Sequence, residues 1–283
     1  MKIVRFLEKG NIGFGLIDST GKKVFSSDAL FEVNKYEDLI SFIDVIDMKK
    51  LRLEYNFDDL HLCAPIIPTK NILCIGKNYY DHILEFDGSM EDIERVKENP
   101  IFFSKALTSI IGPMEDIDSH SNMTNELDYE AELGVIISKD CQNVSYEQAL
   151  DYVFGYTIIN DVTARDLQKK HQQWFKGKSL DTFCPSGPWV VTKDEIEDSN
   201  NLNITLSVNG EVRQKANTKL MIHDIAKQIS VLSQGMTLKA GDVIATGTPQ
   251  GVGMGFKPPK FLQVGDEVTI TIEKIGRLTN KIV

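Results

Sequence analysis

Extended apolar runs on either side of Lys9-Gly10-Asn11 predict two strands over residues 3–17, and a further turn at Ser19-Thr-Gly21 leads to a third run at Lys23-Val-Phe25. The spacing then becomes helical. Tyr36, Leu39, Ile40, Ile43 and Ile46 fall on one helix face, and Asn34 with Glu37 three residues later forms a capping signature. Closely spaced prolines, Pro65 and Pro68, mark an extended connector. Residues 1–66 therefore read as a small α+β domain, and residues 67–283 as a larger unit.

Past the connector, residues 71–76 predict a short buried strand ending at Gly76, and the acidic residues 86–99 a loop or mobile helix. Residues 145–152 predict a short helix with Ser145 and Gln148 as its capping box. Residues 156–160 read as a strand, followed by a helix capped by Thr163, with Asp166 three residues on, running towards Phe175 and stopping at Gly177. From there the pattern is mainly β. A hairpin turns at Asn209-Gly210, one helix carries Ile222, Ile225, Ala226, Ile229 and Leu232 at core spacing, and later strands are separated by Gly241-Asp242, Gly265-Asp266 and Gly276. The expected fold class is mainly β with some α, an α+β chain whose antiparallel strands close or roll.

One strand departs from simple apolar patterning. Leu127-Asp-Tyr-Glu-Ala-Glu-Leu-Gly-Val-Ile-Ile137 places Glu130 and Glu132 on the same face as Gly134 and Ile136, with Tyr129, Ala131, Leu133 and Val135 on the other. Taken alone, the pair reads as a solvated strand face. If the face is buried, two like charges there require a cation, and a hard divalent ion such as Mg²⁺ or Mn²⁺ is the simplest one. Asp161, at the end of the strand over residues 156–160, is a third candidate carboxylate; its plainer reading is a helix cap.

The totals narrow the partners. The 283 residues, 42% hydrophobic and 25% charged, suffice for a substantial core and show no disorder-prone bias. A net charge of -10 argues against nucleic-acid or anionic-membrane partners, so an anionic substrate must be drawn in by a local group of cations. Four cysteines without C-x-x-C or zinc spacing, no signal-like N-terminus and no membrane-length apolar run lead to the expectation of a reduced, soluble, cytoplasmic protein.

His82 and Glu85, three apart, would share one helical face as a carboxylate-oriented base. Lys105, Arg165, Gln168 and Lys178 are candidate binders of a substrate carboxylate or developing oxyanion, although each taken singly reads as a solvated charged or polar side chain. His171 reads as surface and Trp174 as packing. The glycine-rich stretch from Ala245 to Gly253 lacks P-loop and dinucleotide order and is expected to bring backbone N–H groups and Thr248 close to a small anion.

Several blocks in order resemble the fumarylacetoacetate hydrolase superfamily over residues 65–283. They include Gly76-Lys-Asn-Tyr-Tyr-Asp-His-Ile-Leu-Glu85, Phe102-Phe-Ser-Lys105, Leu127-Asp-Tyr-Glu-Ala-Glu-Leu133, Gly155-Tyr-Thr-Ile-Ile-Asn-Asp-Val-Thr-Ala-Arg-Asp-Leu-Gln168, Gly177-Lys-Ser-Leu-Asp-Thr-Phe183 and Thr246-Gly-Thr-Pro-Gln-Gly-Val-Gly253. The resemblance implies a rolled β-sandwich or distorted β-barrel catalytic domain and a homodimer. It also implies that Glu130, Glu132 and Asp161 hold Mg²⁺ or Mn²⁺, that His82 and Glu85 activate water, that Lys178 stabilises an oxyanion, and that Arg165, Gln168 and Thr248 line the substrate site. The leading expectation is hydrolysis of a carbon-carbon bond in a 2,4-dioxo acid of the acylpyruvate or fumarylpyruvate kind through a metal-chelated enolate. Isomerisation or decarboxylation of a 2-hydroxydienedioate or of oxaloacetate is the alternative. A non-catalytic oxo-acid-binding module and a nucleotide-binding protein built on residues 72–76 are readings from other classes.

Overall fold

The computed structural model describes residues 1–33, 39–40, 51–85 and 89–283. The helix expected from Asn34 to Ile46 lies almost wholly outside the described residues; its two described members, Leu39 and Ile40, are buried. Among the described residues the largest assembly is a 12-stranded mixed sheet. In it, the strand Ala131–Ile137 runs antiparallel between Val153–Asn160 and Val243–Ala245. Val243–Ala245 pairs in parallel with Ile72–Gly76, which pairs antiparallel with Ile101–Lys105. On the other side, Cys184–Thr192 joins Val153–Asn160 to the first strand, Lys2–Glu8, through Lys2↔Val191 and Ile3↔Val190. The N-terminal strands thus extend the main sheet.

A second, four-stranded sheet packs on the first. Alternation explains the fit: Ile204, Leu206 and Val208 from Asn203–Val208, and Val268, Ile270 and Ile272 from Glu267–Ile272, meet Ala131, Leu133, Val135, Tyr156 and Ile158 in one core. On the opposite face of the main sheet, Ile136, Ile159, Val190 and Val243 bury against Ile3, Phe14, Leu16 and Leu30. Each such aliphatic side chain contributes about 1.5–3 kcal/mol relative to exposure. Every residue of Ala131–Ile137 is buried. The mainly β architecture with α+β character agrees with the sequence pattern, and the split of strand 131–137 between two cores matches the predicted alternation.

Local signals hold at several points. Asn209 and Gly210 take φ of 50° and 81°, the left-handed pair of a two-residue hairpin turn. The helix Ile225–Ser233 is capped by Asp224, which accepts from the Lys227 N–H at 2.8 Å, and it buries Ile225, Ala226, Ile229 and Leu232. Residues 89–99 resolve as a helix, Met90–Glu98, with a Ser89/Asp92 capping box; Ile93 and Val96 bury against Ile83. No helix among the described residues is long and apolar enough to cross a membrane.

Two expected helices differ. Residues 145–152 contain turns and a 3₁₀ helix, Ala149–Tyr152; the Gln148 N–H bonds the Ser145 carbonyl, the tighter i to i+3 spacing. Thr163 caps no helix, because Thr163–Ala164 is a short strand paired with Leu127–Asp128. The helical stretch after it is split into Arg165–Lys170 and Phe175–Lys178, with left-handed Gln172, φ 57°, between them. Asp166 accepts from the Thr124 hydroxyl at 2.6 Å. Gly177 does not stop a helix but permits close packing: a Cβ there would lie 2.5 Å from the Gln168 nitrogen and 2.7 Å from its Cα.

Gly177→Ala must therefore push the two helices apart. Urea denaturation is expected to show a loss of about 1–3 kcal/mol, the usual cost of overpacking; an unchanged midpoint would refute this reading of the contact.

Candidate active site

The same alternation that buries the strand 131–137 aligns Asp128, Glu130 and Glu132 on one face. All three are buried, as is Asp161, which follows Val153–Asn160. The Asp161 N–H bonds the Glu130 carbonyl at 2.9 Å, and Asn160 Oδ1 accepts from the Glu130 N–H at 3.1 Å, so strand pairing fixes the carboxylates relative to one another. One oxygen each from Glu130, Glu132 and Asp161 lies within 4.8 Å of the others.

Three buried cations face them. Lys178 Nζ donates to Glu130 Oε2 at 2.8 Å and Asp161 Oδ2 at 2.7 Å. Arg165 reaches Asp128 Oδ2 through Nε at 2.8 Å, Glu130 Oε1 through Nη2 at 2.7 Å and Gln168 Oε1 through Nη1 at 3.2 Å. Lys105 Nζ donates to Asp161 Oδ1 at 2.6 Å, to the Val162 carbonyl at 3.0 Å and to the Lys178 carbonyl. Lys105, expected to bind substrate, is therefore a buried positioning residue: its three ammonium donors are all engaged within the protein, and it does not line the cavity.

Four carboxylates against three cations leave one negative charge uncompensated, and it falls on Glu132. Burial raises the Glu130 pKa, but Lys178 and Arg165 outweigh burial and hold the carboxyl at about 2. For Glu132, burial, then Asp161 and Glu130, push the carboxyl well above its ordinary range. Its hydrogen-bond donor is the Gly247 N–H at 2.9 Å, and no cation among the described residues lies within ion-pair distance. A buried, all-oxygen donor set with surplus negative charge fits a hard divalent ion such as Mg²⁺ or Mn²⁺.

His82 and Glu85 meet as expected at the end of the short helix Tyr80–Leu84, with Nδ1 2.6 Å from Glu85 Oε1. With Glu85 as acceptor, Nδ1 carries the proton and Nε2 the lone pair of the neutral ring. Glu85 Oε2 is held by the Gly251 N–H at 2.8 Å. The glycine-rich loop does gather backbone N–H groups around anions, but the anions are the chain's own. Gly247 serves Glu132, Gly251 serves Glu85, and Gly253 and Met254 serve Asp128 at 2.6 and 3.0 Å. Gly251 has φ 97°, and a Cβ there would lie 2.0 Å from the Arg213 carbonyl oxygen.

A cavity of about 290 Å³ opens onto this cluster. His82, Glu130, Glu132 and Lys178 are on its wall, together with Arg165, Gln168 and Thr248, whereas Asp161, Glu85 and Lys105 are not among its lining residues. Thr248 Oγ1 accepts from Gln214 Nε2 at 2.8 Å and so keeps its own O–H as a donor. Trp174, read from sequence as packing, also lines the cavity and packs edge-on against Phe103. Sequence reasoning missed Asp128, although the alternation applied to Glu130 and Glu132 reaches it one step earlier. It also missed Lys77, whose φ of 57° costs about 1–2 kcal/mol for a non-glycine residue, and Gln214, which comes from the second sheet with no local signal.

A model of the fumarylacetoacetate (FAA) hydrolase C-terminal family matches residues 71–283. The chain belongs to this family. An oxaloacetate tautomerase of Bacillus subtilis is 52% identical over 229 residues, 81% of this chain and 75% of that protein. The structure of a fumarylacetoacetate hydrolase from Exiguobacterium antarcticum aligns over 100% of this chain and 99% of its own at 42% identity, TM-score 0.87. A 2-hydroxyhepta-2,4-diene-1,7-dioate isomerase from Mycobacterium marinum aligns over 100% and 98%, at 34% identity and TM-score 0.78. Hydrolases, isomerases and a tautomerase therefore share this family's architecture.

Lys105→Met leaves Asp161, which is fully buried, with one cation instead of two. A stability loss of about 3–5 kcal/mol is expected by denaturant titration, as for other broken buried pairs; a loss below about 1 kcal/mol, the range of surface pairs, would contradict the buttressing role.

Proposed function

We propose that this chain is a divalent-metal-dependent enzyme that forms and reprotonates the enolate of a small 2-oxo acid, interconverting the keto and enol forms of an oxaloacetate-like substrate. The observation that carries this reading is the placement of a carboxylate-backed histidine on the same 290 Å³ cavity wall as Glu130 and Glu132. Support for the tautomerase reaction comes from the 52% identical Bacillus relative. The cavity, near the lower end of the roughly 300–1,000 Å³ usual for ligand sites, suits a short acid.

Glu130, Glu132 and Asp161 would hold Mg²⁺ or Mn²⁺, which supplies Lewis-acid polarisation of the substrate's 2-oxo and carboxylate oxygens. His82 Nε2 takes the proton from the carbon next to the ketone; the C–H electron pair becomes the C=C bond and the carbonyl π pair moves onto oxygen. Glu85 keeps the imidazole in the tautomer this requires and stabilises the imidazolium that forms. Lys178 presents its ammonium where negative charge develops on oxygen; burial works against its charge, but Asp161 and Glu130 outweigh burial and keep it charged and oriented. Phe103 and Trp174 close the apolar wall. Returning the proton to oxygen gives the enol.

Carbon-carbon hydrolysis of a 2,4-dioxo acid is the second reading, favoured by the Exiguobacterium hydrolase structure and by a dyad equally able to take a proton from water. Residues 67–283 are proposed as the catalytic domain, and a homodimer as the assembly, on family resemblance.

Metal-stripped protein is expected to accelerate the decay of the enol absorbance of oxaloacetate only after Mg²⁺ or Mn²⁺ is restored, and His82→Gln to lower kcat about 10²–10⁴-fold. Faster metal-dependent cleavage of an acylpyruvate than tautomerisation of oxaloacetate would select hydrolysis instead.

A further inference from the structure

Four cationic side chains line the cavity, but they are not equivalent. Arg165 and Lys178 are committed to Asp128, Glu130 and Asp161. Lys169 pairs with Glu126 at 3.4 Å and is 63% exposed, so water and salt screen its charge. Lys77 is half-buried, and no carboxylate among the described residues lies within ion-pair distance of its ammonium; Asp92 feels its charge from farther away. In a chain of net charge -10, a partly buried lysine on the wall of an anion site without a carboxylate partner is a recognition group in search of an anion.

The backbone supports the same assignment. Lys77 holds a left-handed φ of 57°, an uncommon conformation for a residue that carries a Cβ. Its neighbour Asn78 imposes it: the Asn78 side chain donates to the His223 carbonyl at 3.0 Å and the Thr246 carbonyl at 2.8 Å, and accepts from the His223 N–H at 2.8 Å. The Ile222 N–H closes on the Asn78 carbonyl at 2.8 Å. Thr246 precedes Gly247, whose N–H holds Glu132 and whose missing side chain leaves room for Asn78 Cβ. One rigid frame therefore sets both Lys77 and the carboxylate cluster, which fixes the span between the two ends of a bound molecule.

Resting on the function proposed above, we infer that Lys77 is a specificity-determining residue that receives the second carboxylate of a dicarboxylic 2-oxo acid, while the 2-oxo acid end faces Glu130, Glu132 and Asp161. A lysine suits this task because its ammonium is a point charge that tolerates modest differences in carboxylate position. Monocarboxylic 2-oxo acids would fill the same cavity without engaging it.

Calorimetric binding to the Mg²⁺-loaded protein, not turnover, tests the assignment. The probes are oxaloacetate and 2-oxobutanoate, which differ in a terminal carboxylate against a methyl group, with oxalate as a control for the metal end. Wild type is expected to prefer oxaloacetate. Lys77→Asn, which removes the charge but tolerates the left-handed backbone, is expected to weaken oxaloacetate binding about 10–100-fold, as for loss of a charged hydrogen bond. Binding of oxalate and 2-oxobutanoate should stay within about twofold, and Lys77→Arg should retain the preference. No preference in wild type, or equal losses for both 2-oxo acids in Lys77→Asn, would overturn the inference. Wild type that binds with the expected preference but turns over neither acid would defeat the proposed reaction and leave the role of Lys77 supported.

Discussion

Glu132 cannot settle its charge locally: Glu130 and Asp161 adjoin it, the lysine beside them is bonded to those two, and among the described residues one backbone N–H, from Gly247, donates to it. Much of the molecule is arranged around this deficit. Desolvating a carboxylate costs several kcal/mol unless partners replace water. Here the replacements come from segments far apart in sequence: Lys105 from the strand Ile101–Lys105, Arg165 and Lys178 from the two short helices, and N–H donors from the glycine-rich loop. Packing Gly177 onto Gln168 keeps the two helices, and hence Arg165 and Lys178, in register.

Electrostatics and topology reinforce each other. Because Ala131–Ile137 is covered on both faces, its acidic end cannot rotate towards solvent, and a register slip of one residue would drive the carboxylates into the aliphatic core shared by Leu133 and Val135. The charges therefore depend on the sheet for their position. In turn, the glycine-rich loop is fastened down by the very carboxylates it solvates, Glu85, Asp128 and Glu132. A cavity wall that combines a fixed imidazole, a fixed ammonium and surplus negative charge results from these mutual constraints, with little left to side-chain freedom.

The parts of this arrangement that were legible in the sequence are those governed by short periods. Two-residue alternation identified the face shared by Glu130 and Glu132; three-residue spacing paired His82 with Glu85; and Asn209-Gly210 announced its turn. The glycine-rich loop was legible as an anion-holding device, but no local pattern could say that the anions belong to the protein. The place of Lys105 is illegible for the same reason: its partners, Asp161 and the Val162 and Lys178 carbonyls, come from strand ends and a helix more than fifty residues away. The break between Arg165–Lys170 and Phe175–Lys178 was hidden because a left-handed glutamine carries no compositional warning. Trp174 showed only that it was large and apolar, which does not separate a core residue from a cavity wall.

The central claim is that Glu132's charge is left for a divalent ion to neutralise. Electron paramagnetic resonance of Mn²⁺ titrated into metal-stripped protein tests it directly, since free aqueous Mn²⁺ gives a sharp signal that binding broadens. The account predicts saturable uptake of one ion per chain, displaced by Mg²⁺ and abolished in Glu132→Gln. Mn²⁺ uptake undiminished in that variant, or no uptake by the wild type, would contradict it.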